Sequence, residues 1–288
     1  MNDLKFPIAA ITDEFSPSDF SLAINAMASI GMTGAELRVV NGKNIMDLTG
    51  DEILAAKDTC DAKGIRILGI ASPILKCTLP NGPAVDTRFQ QDIFNSKHTF
   101  DDQPRLLDRA FQISELTGAK IIRVFSYWRT VEPSACFDAV VEALTKLANQ
   151  AASHGITIGI ENEHACHIGT AEESKAILAA VQHPHLKLVW DPANALVAGE
   201  NPFPHGYGLL PVDRIAHVHV KDCHMEGHTP IWGPVGTRHV DWRGQIAALR
   251  ADGYKGFLSL ETHWPGPAGD KFLASPIGGG NLRGLSAM

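Results

Sequence analysis

Apolar residues gather along this chain into short runs that recur about every 30 to 40 residues, apart from one wider gap, with helix-like stretches between them. Eight such runs stand out: PIAAITDEF (7–15), GAELRVV (34–40), IRILGIAS (65–72), KIIRVFSYW (120–128), ITIGIENE (156–163), LKLVWDPAN (186–194), IAHVHVKD (215–222) and GFLSLETH (256–263). The apolar spacing turns helical in 18–31, 51–64, 104–118, 134–155, 171–182 and 241–253, and several of these stretches end at glycine, as helix C-termini do. A strand alternating with a helix eight times predicts an α/β chain folded as a single (β/α)8 TIM barrel over residues 1–288, because each parallel crossover needs a covering helix. An open doubly wound sheet is the rival, but ITDEFSPSDF after the first run carries no glycine-rich phosphate turn.

Three segments break the rhythm. Residues 72–102, after the third strand, and 223–240, after the seventh, are too long and too rich in Pro and Gly for plain βα turns. Such loops emerge at the C-terminal end of the barrel, so the first is expected to cap its mouth. The tail, 265–288, reads as irregular and is the candidate segment for assembly into a homo-oligomer.

Side-chain alternation then decides what faces the barrel axis. In IAHVHVKD, Ala216, Val218 and Val220 take the helix-facing side and leave His217, His219 and Lys221 pointing inward. The same parity turns Gly159, Glu161 and Glu163 inward on the fifth strand and Ser259, Glu261 and His263 on the eighth. Glu161, Asp191, His219 and Glu261 each close an apolar run, so their tips are expected to converge on one mouth. Three buried carboxylates repel one another and call for a counter-charge, which a divalent metal supplies. The competing reading neutralises them with Arg38, Arg123 and Lys221. Oxygen and nitrogen donors without thiolate suit one divalent ion, Mn²⁺, Co²⁺, Mg²⁺ or Zn²⁺, and do not choose among them.

Composition narrows the partners. A net charge of −7 with no Lys/Arg cluster argues against nucleic acid and leaves room for a compact anionic substrate, because one or two well-placed cations in a pocket matter more than the global balance. No apolar run reaches the length of a membrane span, and the N-terminus lacks a basic region followed by an apolar one, so a cytoplasmic protein without membrane contact is expected. Five scattered cysteines without CxxC spacing read as reduced thiols.

The phrases IENE, WDPANA, HVHVKD and ETHW, carrying Glu161, Asp191, His219 and Glu261 in that order, resemble the xylose-isomerase-like superfamily of sugar isomerases and epimerases over most of the chain. The resemblance implies that these four residues bind the metal, with His219 rather than His217 as the imidazole ligand. It implies an isomerase or epimerase acting on a small-molecule carbohydrate or hydroxy-carbonyl substrate through a metal-stabilised enediolate, with Glu161 and Glu261 as acid and base. Substrate contacts are implied for Glu36 and Lys76 at the second and third strand ends. Their bland alternatives are an ion pair of Glu36 with Arg38 and a surface lysine. Glu163, Asn194, Lys221 and Trp264 complete the expected substrate-binding set, Trp264 as a sugar-facing wall. Where the superfamily's ketose 3-epimerases have a histidine and an arginine, this chain has Asn194 and Met225. That departure keeps open a dehydratase or lyase outcome at the same site. A nuclease-like hydrolase and a non-catalytic sugar-binding module are more distant alternatives.

Overall fold

The computed structural model describes residues 6–88 and 98–288. All eight expected strands form: β1 (Ile8–Ile11), β2 (Gly34–Leu37), β3 (Arg66–Ala71), β4 (Ile121–Val124), β5 (Thr157–Glu161), β6 (Leu186–Trp190), β7 (Ile215–Val220) and β8 (Leu258–Leu260). They pair in parallel in sequence order and β8 returns to β1, closing the barrel. Both faces of these strands are covered, which is why they read as near-continuous apolar runs with polar residues only at inward positions.

The six expected helices are α1 (Phe20–Ile30), α2 (Gly50–Asp61), α3 (Gln103–Thr117), α4 (Phe137–His154), α5 (Ala171–Ala180) and α7 (Trp242–Ala251), with the short α6 (Pro192–Val197) and α8 (Lys271–Ser286) in addition. Their ends follow local chemistry: Thr49 with Glu52 and Thr170 with Glu173 form capping boxes at α2 and α5. Helices α1, α3 and α4 stop at Gly31, Gly118 and Gly155, each in the left-handed region that glycine adopts without strain.

Two of the irregular segments are more ordered than the sequence suggests. The tail forms α8, which packs on α1 and β8. Its glycines read as helix breakers but permit a close approach: a Cβ at Gly279 would meet Met32 at 3.0 Å, and one at Gly278 would meet Leu260 at 3.3 Å. The long connection after β7 is an antiparallel ribbon pairing Asp222–Glu226 with Thr229–Gly233. Of the segment after β3, residues 72–88 hold no regular helix or strand and touch Thr130 through a single bridge at Val85, while residues 89–97 lie outside the described residues. All five cysteines are free and buried, and burial pushes the thiols of Cys60, Cys77 and Cys223 up to about 12. Among the described residues no helix is long and apolar enough to cross a membrane.

Candidate metal centre

Strands β5 to β8 bring Glu161, Asp191, His219 and Glu261 together, with one potential ligand atom of each within 4.8 Å of the others and all four side chains buried. Glu161 is the last residue of β5 and Asp191 directly follows β6, whereas His219 lies within β7 beside Ser259 of β8, and Glu261 directly follows β8. Asp191 also caps α6, accepting from the Asn194 backbone N–H at 2.9 Å.

Each of the four turns one atom inward and has the other fixed from behind. Arg123 on β4 donates to Glu161 Oε2 at 2.8 Å, leaving Oε1 beside His219 Nδ1 at 3.0 Å. Arg38 donates to Glu261 Oε1 at 3.1 Å, leaving Oε2 at 3.4 Å from the same Nδ1. Glu36 on β2 lies 3.2 Å from His219 Nε2, so it accepts a hydrogen bond from Nε2–H when Nδ1 is the free nitrogen. Asp191 Oδ2 has no hydrogen-bond partner, although the Lys221 ammonium stands 2.8 Å away. That contact is a charge contact without hydrogen-bond alignment. Asn162 fixes the Asp191 backbone from both sides, donating to its C=O and accepting from its N–H at 2.8 Å each.

The competing ion-pair reading is therefore realised as well, since Arg38, Arg123 and Lys221 all meet carboxylates of the set. It does not exhaust the charge. Five acids, Asp13, Glu14, Glu161, Asp191 and Glu261, share these three cations, because Arg38 also binds Asp13 and Glu14. Burial pushes Glu14 up to about 7 and, joined by the charges of Glu161 and Glu261, pushes Asp191 up to about 6 against Lys221. For Glu161, burial acts upward too, but His219 and Arg123 outweigh it and hold the carboxyl down to about 2. Burial disfavours charge on His219 and Lys221, yet the surrounding carboxylates hold both well above their ordinary values. The field at this point favours positive charge.

The remaining expected site residues distribute around this centre. Lys221 bridges Asp191 and Glu261, with its ammonium 3.0 Å from Glu261 Oε2. Asn194 donates weakly to Glu161 Oε1 at 3.4 Å, and its own Oδ1 lies 3.2 Å from His164 Nδ1. Glu163 lies 3.1 Å from the same Nδ1 and 4.0 Å from the Lys76 ammonium. Lys76 is no surface lysine, with its side chain 13% exposed. Glu36 departs from both expectations: its carboxylate is taken up by His217, His219 and Ser259 in the barrel interior, beneath His219, and Arg38 pairs elsewhere. Trp264 is half-buried, and the indole that approaches the charged groups is Trp232, 5.8 Å from the Lys221 ammonium and edge-on to His263. Asn162, Ser259 and Trp232 were not singled out by sequence as site residues. Asn162 was the most findable, as a polar residue at a helix-facing position between two inward glutamates.

No curated protein matches the chain significantly. Among solved structures, the IolI protein with a bound zinc atom superposes with a TM-score of 0.72 at 15% identity, covering 97% of each chain. The probable 3-DHS dehydratase AsbF from Bacillus anthracis gives 0.69 at 17% identity, over 98% of each chain. D-psicose 3-epimerase from Clostridium cellulolyticum H10, solved with D-tagatose, gives 0.67 at 15% identity, over 98% of this chain and 96% of that one. The chain spans only 42% of one further relative, a fusion of a xylose isomerase-like TIM barrel with 4-hydroxyphenylpyruvate dioxygenase. At these identities the likeness is one of fold. The family model for the xylose isomerase-like TIM barrel, however, matches residues 24–276, and the chain belongs to that family.

Proposed function

We propose that the chain is a divalent-metal-dependent isomerase or epimerase of a small sugar, sugar phosphate or other hydroxy-carbonyl compound. The observation that carries this reading is the set of four inward atoms within 4.8 Å, on side chains whose other polar atoms are already engaged. Asp191 Oδ2 is buried and meets the Lys221 ammonium at 2.8 Å without an aligned hydrogen bond, a position that suits a cation. Glu161, Asp191, His219 and Glu261 would hold the ion, and we take Mn²⁺ as the first candidate among the divalent ions that their oxygen and nitrogen donors suit. When bound, such an ion supplies Lewis acidity toward a carbonyl and its neighbouring hydroxyl.

The chain's own part is proton transfer. Glu161 and Glu261 flank His219 Nδ1, and each is held ionised with one oxygen fixed by an arginine. The inward oxygen of one glutamate takes a proton from the carbon beside the carbonyl. That glutamate, now protonated, gives the proton to the adjacent carbon, or the other glutamate, once it has taken a proton from solvent, protonates the opposite face of the same carbon. Lys221 stands where it can face developing negative charge on a substrate oxygen, and Asn194 can orient a hydroxyl. The reading is tested in D₂O over a panel of keto-sugars, sugar phosphates and sugar acids. Solvent deuterium should enter at the carbon next to the carbonyl. Rapid product formation without deuterium uptake, where internal return is excluded, overturns it.

A second reading, a dehydratase or lyase, is favoured by one observation. His164 lies between Glu163 and Asn194, where an imidazole can protonate a departing hydroxyl. It gives the same exchange but a product short of one water.

A further inference from the structure

The cations around the centre differ in how they are engaged. Arg38 binds Asp13, Glu14 and Glu261; Arg123 binds Glu161; Lys221 meets Asp191 and Glu261. Lys76, five residues beyond the end of β3, is the exception. Its ammonium lies 4.5 Å from the Phe125 ring centroid and 5.5 Å from that of Trp128. The nearest described carboxylate oxygen is Glu163 Oε2 at 4.0 Å, beyond hydrogen-bond reach. Among the described residues the Lys76 ammonium makes no hydrogen bond at all.

Aromatic faces attract a cation and hold it in place, but they leave its three N–H donors without acceptors. The side chain is only 13% exposed, so those donors are left to the solvent at its tip or to a bound acceptor. Glu163 is drawn the other way, with Oε1 3.1 Å from His164 Nδ1 and accepting from the Ala165 backbone N–H at 3.3 Å. The position is continuous with the centre, since Glu163 and His164 lead through Asn194 to Glu161.

We propose that Lys76, clamped by Phe125 and Trp128, is an anion subsite, and that the substrate carries a carboxylate or phosphate in addition to its hydroxy-carbonyl unit. This rests on the isomerase, epimerase or lyase reading of the same centre. A neutral hydroxyl offers the ammonium a weak acceptor, whereas an anionic oxygen forms a charge-assisted bond and completes the unused donors.

The test compares three hydroxy-ketones of equal carbon length on the metal-loaded protein by calorimetry: dihydroxyacetone, dihydroxyacetone phosphate and hydroxypyruvate. At least one anion should bind about tenfold or more tighter than the neutral compound, the factor a charged hydrogen bond supplies. Which anion does so separates phosphate from carboxylate. Lys76→Met, which keeps the length of the stem, should remove the preference, and Lys76→Arg should retain it. Equal binding of all three, binding of none, or a preference that survives in a folded Lys76→Met protein overturns the subsite. Deuterium exchange on the bound probes reads the catalytic proposal separately. Anion preference without exchange leaves the subsite standing and sinks the reaction; exchange without preference does the reverse.

Discussion

The two halves of the barrel meet at the same centre and contribute different things to it. Strands β5 to β8 present the inward atoms of Glu161, Asp191, His219 and Glu261. The first half presents the groups that fix three of those side chains from behind, Asp191 being held by Asn194 of its own half: Arg123 on β4, Glu36 on β2, and Arg38 with Asp13 and Glu14 at the ends of β2 and β1. One half determines what can be bound, and the other determines where the binding atoms point. A ligand half without its supports would keep its chemistry and lose its geometry.

The largest effects should come from the ligand half. Glu161→Gln and Glu261→Gln are expected to lower turnover by about 10²–10⁴ while retaining much of the substrate binding, because an amide occupies the position without accepting a proton. Metal occupancy is verified first, since an amide is the poorer ligand. Asp191→Ala and His219→Ala should weaken metal binding by more than about 100-fold, beyond the range typical of supporting residues, and leave the barrel folded. Calorimetry with unchanged metal affinity in both variants would remove the four residues from the role given to them.

The supporting half should give smaller losses. Arg123→Met and Glu36→Gln are expected to cost about 10–100-fold in metal affinity, without touching the ion themselves. Arg123→Met also strands Glu161 as a buried charge, a change that costs about 3–5 kcal/mol of stability, so affinity is compared well below the variant's Tm. If either variant abolishes metal binding as completely as Asp191→Ala, the division between the halves breaks down.

The same division marks how far the sequence could be read. In the second half, polar residues interrupt apolar runs at a period of two, as in His217, His219 and Lys221, and parity alone turns them inward. All eight strands and the convergence of four side chains were legible in this way. In the first half, Arg38 and Arg123 stand singly among apolar neighbours, and nothing local says which carboxylate each will meet across the barrel. Glu36 shows the cost: the resemblance placed it at a strand end, but nothing in the sequence told that the imidazoles of His217 and His219 would take up its carboxylate. The tail misled for a physical reason too, since Gly278 and Gly279 lower helix propensity while serving the contact that orders the helix.

The smallest expected effect contrasts two buried histidines. His219 is ringed by carboxylates that raise its affinity for a proton, whereas neither ring nitrogen of His167 has a hydrogen-bond partner among the described residues. His167 follows β5 and lines a cavity of about 380 Å³ with Pro133, Phe137 and Glu173, on the wall between α4 and α5. Burial, helped by Arg129, lowers its pKa from 6.5 to about 4. The unfolded chain therefore binds the extra proton first as pH falls, and the stabilising share of the neutral ring is present above about 6.5 and lost as pH falls toward 4. Between pH 7 and pH 5 this should amount to about 1–2 kcal/mol, allowing for solvent screening through the adjoining cavity. Paired denaturant titrations of the wild type and His167→Gln at the two pH values isolate the term, because the acids of the centre are common to both proteins. The wild type should lose more stability than the variant. An equal loss would mean that His167 carries its proton in the folded state as readily as in the unfolded one, and that burial without partners does not set it apart from His219.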